Sequence, residues 1–239
     1  MLYCKNATQQ NLPLTLNPSV LYRGLTVSVV NMSIITGVQF PITGAIHKAI
    51  VGDRKPTDAE KIGCGFLGGA ASGFICSPME LVMVQQQRTG GAMGPIAKNI
   101  LSTQGVYGLF RGLFTSCGRE GLFTAGYLGL GPVFAEKLKQ RETLTGKVAE
   151  FVGAAGAGVI AATLSHPLDT IKTCMQGDIK GEKYGSMPAT ASKLYNQEGG
   201  AGRFLQGWSW RTSRMILAIF IIGQCKDNLA PIFFSSSFR

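Results

Sequence analysis

The stretch SHPLDTIKTCMQGD, residues 165–178, decides how this sequence is read. It follows FVGAAGAGVIAATL, residues 151–164, a run of small and apolar side chains. Pro167 removes a backbone hydrogen-bond donor and kinks a helix. Asp169 and Lys172 then lie on one side of the next turn because they are three residues apart. The pattern indicates a membrane helix that bends inward and offers a charge pair to its neighbours.

The composition indicates a membrane protein. The 239 residues are 45% hydrophobic and only 15% charged, against about 25% charged in a typical soluble domain. The 32 glycines suit close packing of helices in lipid. The formal net charge of +10 fits an anionic substrate or anionic lipid. Nucleic acid is not predicted as a partner, since the Lys and Arg residues are scattered between apolar stretches.

Several segments are long and apolar enough to cross a bilayer, which takes about 20 residues. Five such spans are predicted, over residues 27–51, 59–87, 113–138, 148–176 and 208–226. Two shorter amphipathic pieces, 95–103 and 188–196, are too short to cross. The fold class is therefore an all-α membrane protein. The sequence contains no cysteine spacing typical of metal sites and no catalytic constellation, so neither a metal, a cofactor nor an enzyme is predicted.

An internal repeat organises the chain. The segment CSPMELVMVQQQRTG, residues 76–90, returns in SHPLDTIKTCMQGD, and the step from Pro78 to Pro167 sets a period of 89 residues. A second motif, GLFRGLF at 108–114, has relatives in VLYRGLT at 20–26 and RFLQGWS at 203–209. The glycine motif, which ends a repeat, therefore occurs three times, whereas the proline motif, which begins one, occurs twice. Subtracting the period from Pro78 places the first proline motif before residue 1, so the first odd-numbered helix is predicted to be missing.

Together these motifs resemble the mitochondrial carrier family. That family carries P-x-[DE]-x-x-[KR]-x-[KR]-x-Q at the end of each odd helix, then a short matrix helix, an aromatic-x-Gly step and an even helix. The resemblance covers roughly residues 17–228, and the sequences of the proline motifs are similar to those of fungal citrate–oxoglutarate carriers. It implies a bundle of six tilted transmembrane helices with threefold pseudosymmetry, of which five are expected here. The repeats would be 1–56 (an even helix only), 57–142 and 143–239.

The resemblance implies a multi-pass solute carrier of the mitochondrial inner membrane. The sequences of the motifs favour exchange of di- or tricarboxylates, such as citrate and 2-oxoglutarate, by alternating access. Two other functions stay open: a transport-inactive structural subunit of a larger inner-membrane (respiratory) complex, and an amino-acid carrier. The implied partners are a small anionic metabolite, membrane lipids such as cardiolipin, and a protein that replaces the missing helix.

The proline motifs supply a candidate gate on the matrix side. In the family, the acid of one motif pairs with the base of the next. Glu80 fits the acid position, but Met83 stands at its base position, whereas Asp169 and Lys172 fit both. Glu80 is therefore expected to pair with Lys172, and Asp169 is expected to lack a partner. The plainer interpretation is that these charges are interfacial residues at helix ends.

The three glycine steps predict a central substrate site. Seven residues past Gly24, Gly112 and Gly207 stand Asn31, Arg119 and Arg214, which in the family lie level with the site. Further candidates adjoin them: Glu120, Arg211, Ile35 and Gln39. Arginines at two of these positions suit carboxylates because each guanidinium offers a bidentate fork. The neighbouring pair Arg119–Glu120 instead resembles amino-acid carriers, and an internal salt bridge is the plainer interpretation of each arginine.

Overall fold

The computed structural model describes residues 2–15, 17–22, 25–130, 133–134, 136–137 and 146–215. Its helices are α1 (Leu2–Gln9), α2 (Pro18–Leu21), α3 (Leu25–Val51), α4 (Asp58–Thr89), α5 (Met93–Gly108), α6 (Leu113–Thr124), α7 (Gly146–Gly177), α8 (Met187–Tyr195) and α9 (208–215). A π-helical turn, Ala125–Leu130, continues α6, and a 3-10 turn, Gly200–Leu205, precedes α9.

The predicted spans agree with the observed helices. The predictions 27–51, 59–87 and 148–176 lie within two residues of α3, α4 and α7 at both ends. Three segments of the described chain are long and apolar enough to cross a membrane, namely Pro18–Val51, Asp58–Thr89 and Phe151–Gly177. The other two predicted spans begin with α6 and α9 and run in part beyond the described residues. The short amphipathic pieces lie in α5 and α8.

The ends of α4 are set by local chemistry. Thr57 caps its first turn, accepting a hydrogen bond from the Glu60 backbone N–H, while the Glu60 carboxylate accepts from the Thr57 backbone N–H. This reciprocal capping box satisfies backbone donors that a helix start leaves free. At the other end, Gly90 has φ 74°, a left-handed conformation that side chains disfavour. The long helix therefore starts and stops where the sequence places these residues.

A glycine face lets α4 lie directly on α6. A Cβ atom at Gly73 would come within 3.0 Å of the Cys117 Cα atom, and one at Gly65 within 3.1 Å of the Ala125 Cα atom. A Cβ atom at Gly69 would collide with the carbonyl oxygen of Glu120. The glycines of this helix therefore bring two backbones together, as expected for helix packing in lipid.

Both motif prolines lie inside continuous helices. Pro78 is within α4 and Pro167 within α7. Each long helix thus passes through its proline and carries the acid–base segment of the motif beyond it. The kink predicted at each proline stays a prediction.

A short helix, α1, corrects one sequence interpretation. Repeat 1 was expected to hold an even helix only, but α1 precedes α3 and packs against α4 and α7. In the sequence, Lys5 and Gln9 have the same four-residue spacing as Lys172 and Gln176. By this register α1 corresponds to the end of an odd helix.

The constant period caused the error, because the linkers between the motifs differ in length. From the motif glutamine to the following glycine there are 25 residues in repeat 2 (Gln87 to Gly112) and 31 in repeat 3 (Gln176 to Gly207). From Gln9 to Gly24 there are only 15. Linkers tolerate such length changes because they lie outside the packed helices.

The loop after α7 is held by one carboxylate. Asp178 Oδ2 accepts hydrogen bonds from the backbone N–H groups of Lys183 and Tyr184, both at 2.7 Å. Partial burial acts to raise the pKa of Asp178, but these two donors outweigh it and hold the pKa below its ordinary value. The loop therefore leaves the end of α7 in a fixed direction.

Candidate substrate site and charge network

Four charged side chains join α1, α4 and α7 in two ion pairs. Lys5 Nζ lies 2.7 Å from Asp169 Oδ2, and Lys172 Nζ lies 2.6 Å from Glu80 Oε2. All four residues are buried. We call these four residues the charge network. The structure thus places Glu80 beside Lys172, whereas the expectation that Asp169 lacks a partner is wrong, because α1 supplies Lys5.

Amide side chains extend these contacts. Gln9 Nε2 donates to Asp169 Oδ2 at 2.9 Å and to Thr170 Oγ1 at 3.1 Å, which adds to the contact between α1 and α7. Between α4 and α7, Gln85 Nε2 donates to the carbonyl oxygens of Gln176 and Gly177. Because buried charges need hydrogen-bond partners as well as counter-ions, Gln9 supports the Asp169 carboxylate, whereas Gln85 joins α4 to the end of α7.

Arg119 reaches the network from α6. Its guanidinium donates to Glu80 and to Glu120. Its Nε atom lies 3.7 Å from Asp169 Oδ1. Only 12% of the Arg119 side chain is exposed. Arg119 is therefore surrounded by three carboxylates, one from each of α4, α6 and α7.

Arg211 contacts the network from α9. Its Nη2 atom donates to Ser165 Oγ at 2.7 Å, and its Nη1 atom lies 3.5 Å from Asp169 Oδ2. The guanidinium also stands over the Phe123 ring, 5.9 Å from the centroid, at the distance of a cation–π interaction. Arg211 is buried, so its guanidinium interacts with side chains of the protein itself.

Arg214 differs from the other two arginines. It lies one turn further along α9 and is exposed. Within the described part of the chain no carboxylate forms an ion pair with it. It is nevertheless close enough to Asp169, Arg119 and Glu120 to interact with them electrostatically. Arg214 is thus an exposed guanidinium in the neighbourhood of the same charges.

The site carries an excess of positive charge. Among the described residues, its cations are Lys5, Arg119, Lys172, Arg211 and Arg214, and its carboxylates are Glu80, Glu120 and Asp169. Five cations against three anions give this group of described residues a net charge of +2. An arrangement of this kind attracts an anion of matching charge.

The model of the mitochondrial carrier protein family matches residues 55–142 and 145–236, which is more than half of the chain. The chain belongs to the mitochondrial carrier family. Members of this family are transporters of small metabolites rather than enzymes, and family membership makes the chain a multi-pass protein of the mitochondrial inner membrane.

Curated relatives of this carrier have diverse names. It is 28% identical to a probable mitochondrial 2-oxodicarboxylate carrier of Dictyostelium discoideum, over 69% of this chain and 58% of the relative. It is 29% identical to mitochondrial glutamate carrier 2 of Mus musculus, over 85% of this chain and 74% of the relative. It is 25% identical to mitochondrial citrate transporter D of Aspergillus niger, over 68% and 57%. The match thus spans little more than half the length of some of these relatives.

The predicted residues of α3 form one buried face of the carrier. Asn31, Ile35 and Gln39 recur every four residues and are all buried. Gln39 Nε2 donates to Thr124 Oγ1 and so joins α3 to α6. The Asn31 side-chain oxygen has no hydrogen-bond partner within the described residues. Asn31 therefore offers a free buried acceptor, whereas Gln39 serves the contact between two helices.

Sequence reasoning missed several residues that hold the carrier's helix ends. Lys5 and Gln9 were missed, although their spacing repeats that of Lys172 and Gln176. Arg203, which is fully buried, donates to the carbonyl oxygen of Gln9 at 2.9 Å. Comparing arginines at the ends of the linkers could have suggested a role in capping, but which carbonyl each arginine reaches depends on the packing of the repeats.

Proposed function

We propose that this carrier transports di- and tricarboxylates, with a dicarboxylate such as 2-oxoglutarate as the best fit. The observation that carries the proposal is the excess of two positive charges in a site where Arg214 is exposed and has no counter-ion among the described residues. A guanidinium binds a carboxylate through two parallel hydrogen bonds. A dianion would neutralise the excess, so its charge and its chemistry both suit the site.

The state of Glu120 favours a carboxylate over an amino acid. In an amino-acid carrier, this acid would have to bind the substrate's ammonium group. Here the Glu120 carboxylate is buried and accepts a hydrogen bond from its neighbour Arg119. Binding an ammonium group would cost this contact, because buried charges depend strongly on their existing partners. Glu120 is therefore engaged with the protein rather than offered to substrate.

The charge network supports alternating access. Ion pairs join the ends of α1, α4 and α7 and hold the three repeats together on one side of the bundle. In this mechanism the pairs form when the carrier closes toward the matrix and separate when it opens. Because desolvation offsets much of the attraction in a buried pair, such a gate holds the repeats together and still releases them.

The names of the relatives are consistent with this proposal but do not choose the substrate. One relative is named for 2-oxodicarboxylate and another for citrate. Others are named for glycine and glutamate. The charge of the site, rather than any one name, therefore carries the choice of a carboxylate.

The test is exchange in proteoliposomes. Purified full-length protein in liposomes loaded with 2-oxoglutarate should take up labelled 2-oxoglutarate or citrate. Arg214→Gln should lower the apparent affinity for the dianion by about tenfold or more, because it removes a charge-assisted pair worth roughly 1.5–3 kcal/mol. Arg54→Gln is the matched control, since Arg54 pairs with Glu60 at an exposed loop.

Two results would replace the proposal. Uptake of labelled glutamate or glycine without uptake of either carboxylate would favour an amino-acid carrier. Failure to transport any of these substrates, together with migration in a large assembly during native electrophoresis of mitochondrial membranes, would favour a structural subunit.

A further inference from the structure

Three repeats in a threefold arrangement could form three ion pairs, one between each two neighbouring repeats. The charge network contains two of them. Lys5 of repeat 1 pairs with Asp169 of repeat 3, and Lys172 of repeat 3 pairs with Glu80 of repeat 2. The remaining pair would join α4 to α1. Its base position is Met83, and its acid position, three residues before Lys5, is Leu2. Both charges of this pair are therefore absent from the sequence.

Arg119 and Glu120 bring a charge pair to the network from a different helix. Arg119 donates to Glu80 and to Glu120, and it lies near Asp169. It thus contacts the acids of both proline motifs. Glu120 is buried beside it. Neither residue belongs to an odd helix, but together they restore three cations and three carboxylates.

Arg119 and Arg214 stand at the same offset from their repeat glycines but have different surroundings. Arg119 is mostly buried and held by carboxylates, whereas Arg214 is exposed and forms no ion pair with a described residue. A substrate carboxylate would have to displace at least one protein carboxylate to reach Arg119. It would displace none from Arg214, so the two arginines are not equivalent ligands.

We propose that Arg119 takes the place of the missing α1–α4 pair in the matrix gate by bridging Glu80 of repeat 2 and Asp169 of repeat 3, while Glu120 balances its charge from within α6. Arg119 is then a positioning residue that holds Glu80 and Asp169 in the closed state, and Arg214 is the arginine that binds substrate. This inference deepens the proposed function and rests on it. It also accounts for the charge count: the six gate charges balance, and the two further cations are Arg211, which is buried beside Asp169, and Arg214, which is exposed.

The experiment compares Arg119→Gln with Arg214→Gln, the same substitution at equivalent positions. Two quantities are measured in full-length protein in liposomes. The first is gate closure, taken as the rate at which a membrane-impermeant maleimide, applied from the matrix face, labels Cys174. This thiol is only 1% exposed and lies at the contact between α1 and α7, 3.4 Å from the carbonyl oxygen of Gln9. Mass spectrometry of the Cys174 peptide gives the rate. The second is the apparent affinity for 2-oxoglutarate in exchange.

The two variants should affect different quantities, one the labelling rate and the other the affinity for 2-oxoglutarate. Arg119→Gln should raise the rate of Cys174 labelling by about tenfold, the effect of losing one charge-assisted hydrogen bond, and change the 2-oxoglutarate affinity by less than about threefold. Arg214→Gln should lower that affinity by about tenfold or more and leave labelling unchanged. A large affinity loss in Arg119→Gln with unchanged labelling would overturn the proposal.

Two further variants keep the inference testable. Arg119→Lys keeps the charge but loses the planar fork, so it should fold and give an intermediate labelling rate even where Arg119→Gln does not fold. Glu120→Gln should also increase labelling. If Arg119 were instead a substrate ligand restrained by Glu120, Glu120→Gln would tighten 2-oxoglutarate binding and leave labelling unchanged. Labelling needs no substrate, so its result stands even if 2-oxoglutarate is not transported.

Discussion

The contacts that α7 makes with α1 and α4 differ from the contact between α1 and α4. Each contact of α7 contains an ion pair below 3 Å and two hydrogen bonds from an amide side chain. Between α1 and α4 the described side chains contribute a neutral hydrogen bond, from Asn6 Nδ2 to Gln87 Oε1 at 2.5 Å. One side of the bundle is therefore joined by charges and the other by amides.

The difference shows how a membrane protein can lose an ion pair. Removing one member of a buried pair leaves a charge without a partner and costs about 3–5 kcal/mol, whereas replacing both members by apolar residues is often neutral. Leu2 and Met83 stand at both positions of the lost pair. The α1–α4 contact therefore lacks a charge pair without containing an unpaired charge.

The largest effect is expected for Asp169→Asn, which weakens the charged contacts of α7. The change removes the negative charge from a side chain that Lys5, Arg119 and Arg211 all approach. We expect the closed state to lose about 3–5 kcal/mol, visible as a lower midpoint of heat denaturation and faster labelling of Cys174. Asp58→Asn is the control, because Asp58 pairs with Lys61 at the exposed start of α4. Equal effects of the two variants would refute the comparison.

The next effect is expected for Met83→Lys, which places a charge in the neutral contact. Met83 is buried, so the new ammonium group should lower the midpoint of heat denaturation, by up to the same 3–5 kcal/mol in free energy. The double variant Leu2→Asp with Met83→Lys should recover part of this loss, because it supplies the missing acid. A double variant no more stable than Met83→Lys alone would show that the two positions do not meet.

A smaller effect is expected for Lys5→Met, which removes one charged contact but leaves Asp169 with other partners. Gln9 and Arg211 still reach the Asp169 carboxylate. The expected cost is roughly 1.5–3 kcal/mol, the loss of one hydrogen bond to a charged group, measured as the shift in the denaturation midpoint. Lys61→Met, at a partly exposed pair, should change it far less. A cost equal to that of Asp169→Asn would mean that Lys5 alone stabilises the carboxylate.

The smallest effect is expected for Asn6→Ala in the neutral contact. It removes the hydrogen bond to Gln87, whose net worth is about 1 kcal/mol. Cys174 labelling should therefore rise by no more than about fivefold. Labelling faster than in Lys5→Met would contradict the comparison, because the amide contact would then hold the gate more firmly than the ion pair.

Much of this fold could be predicted from the sequence. Hydrophobic length gave the bounds of α3, α4 and α7 to within two residues, since a span must match the thickness of the bilayer. The motif register also put Glu80 opposite Lys172. The position of a residue within its motif is a local property of the sequence, and the repeats preserve it.

The parts that could not be predicted depend on distances between repeats. Lys5 was missed because the linker after α1 is shorter than the other two. The contrast between Arg119 and Arg214 was also missed, although both have the same offset from glycine. That contrast depends on carboxylates from other helices, and the repeat pattern specifies only the position on the helix itself.

The glycine face between α4 and α6 has a mechanical consequence. With Gly65, Gly69 and Gly73 at the contact, two backbones touch and leave little space for side chains between them. Such helices have few ways to slide or rotate against each other, because close-packed backbones interlock. We therefore expect the two helices of this repeat to move as a single rigid lever. Displacement in the proposed transport cycle would then be concentrated at the borders of that lever, such as the contact where Glu80 of α4 pairs with Lys172 of α7.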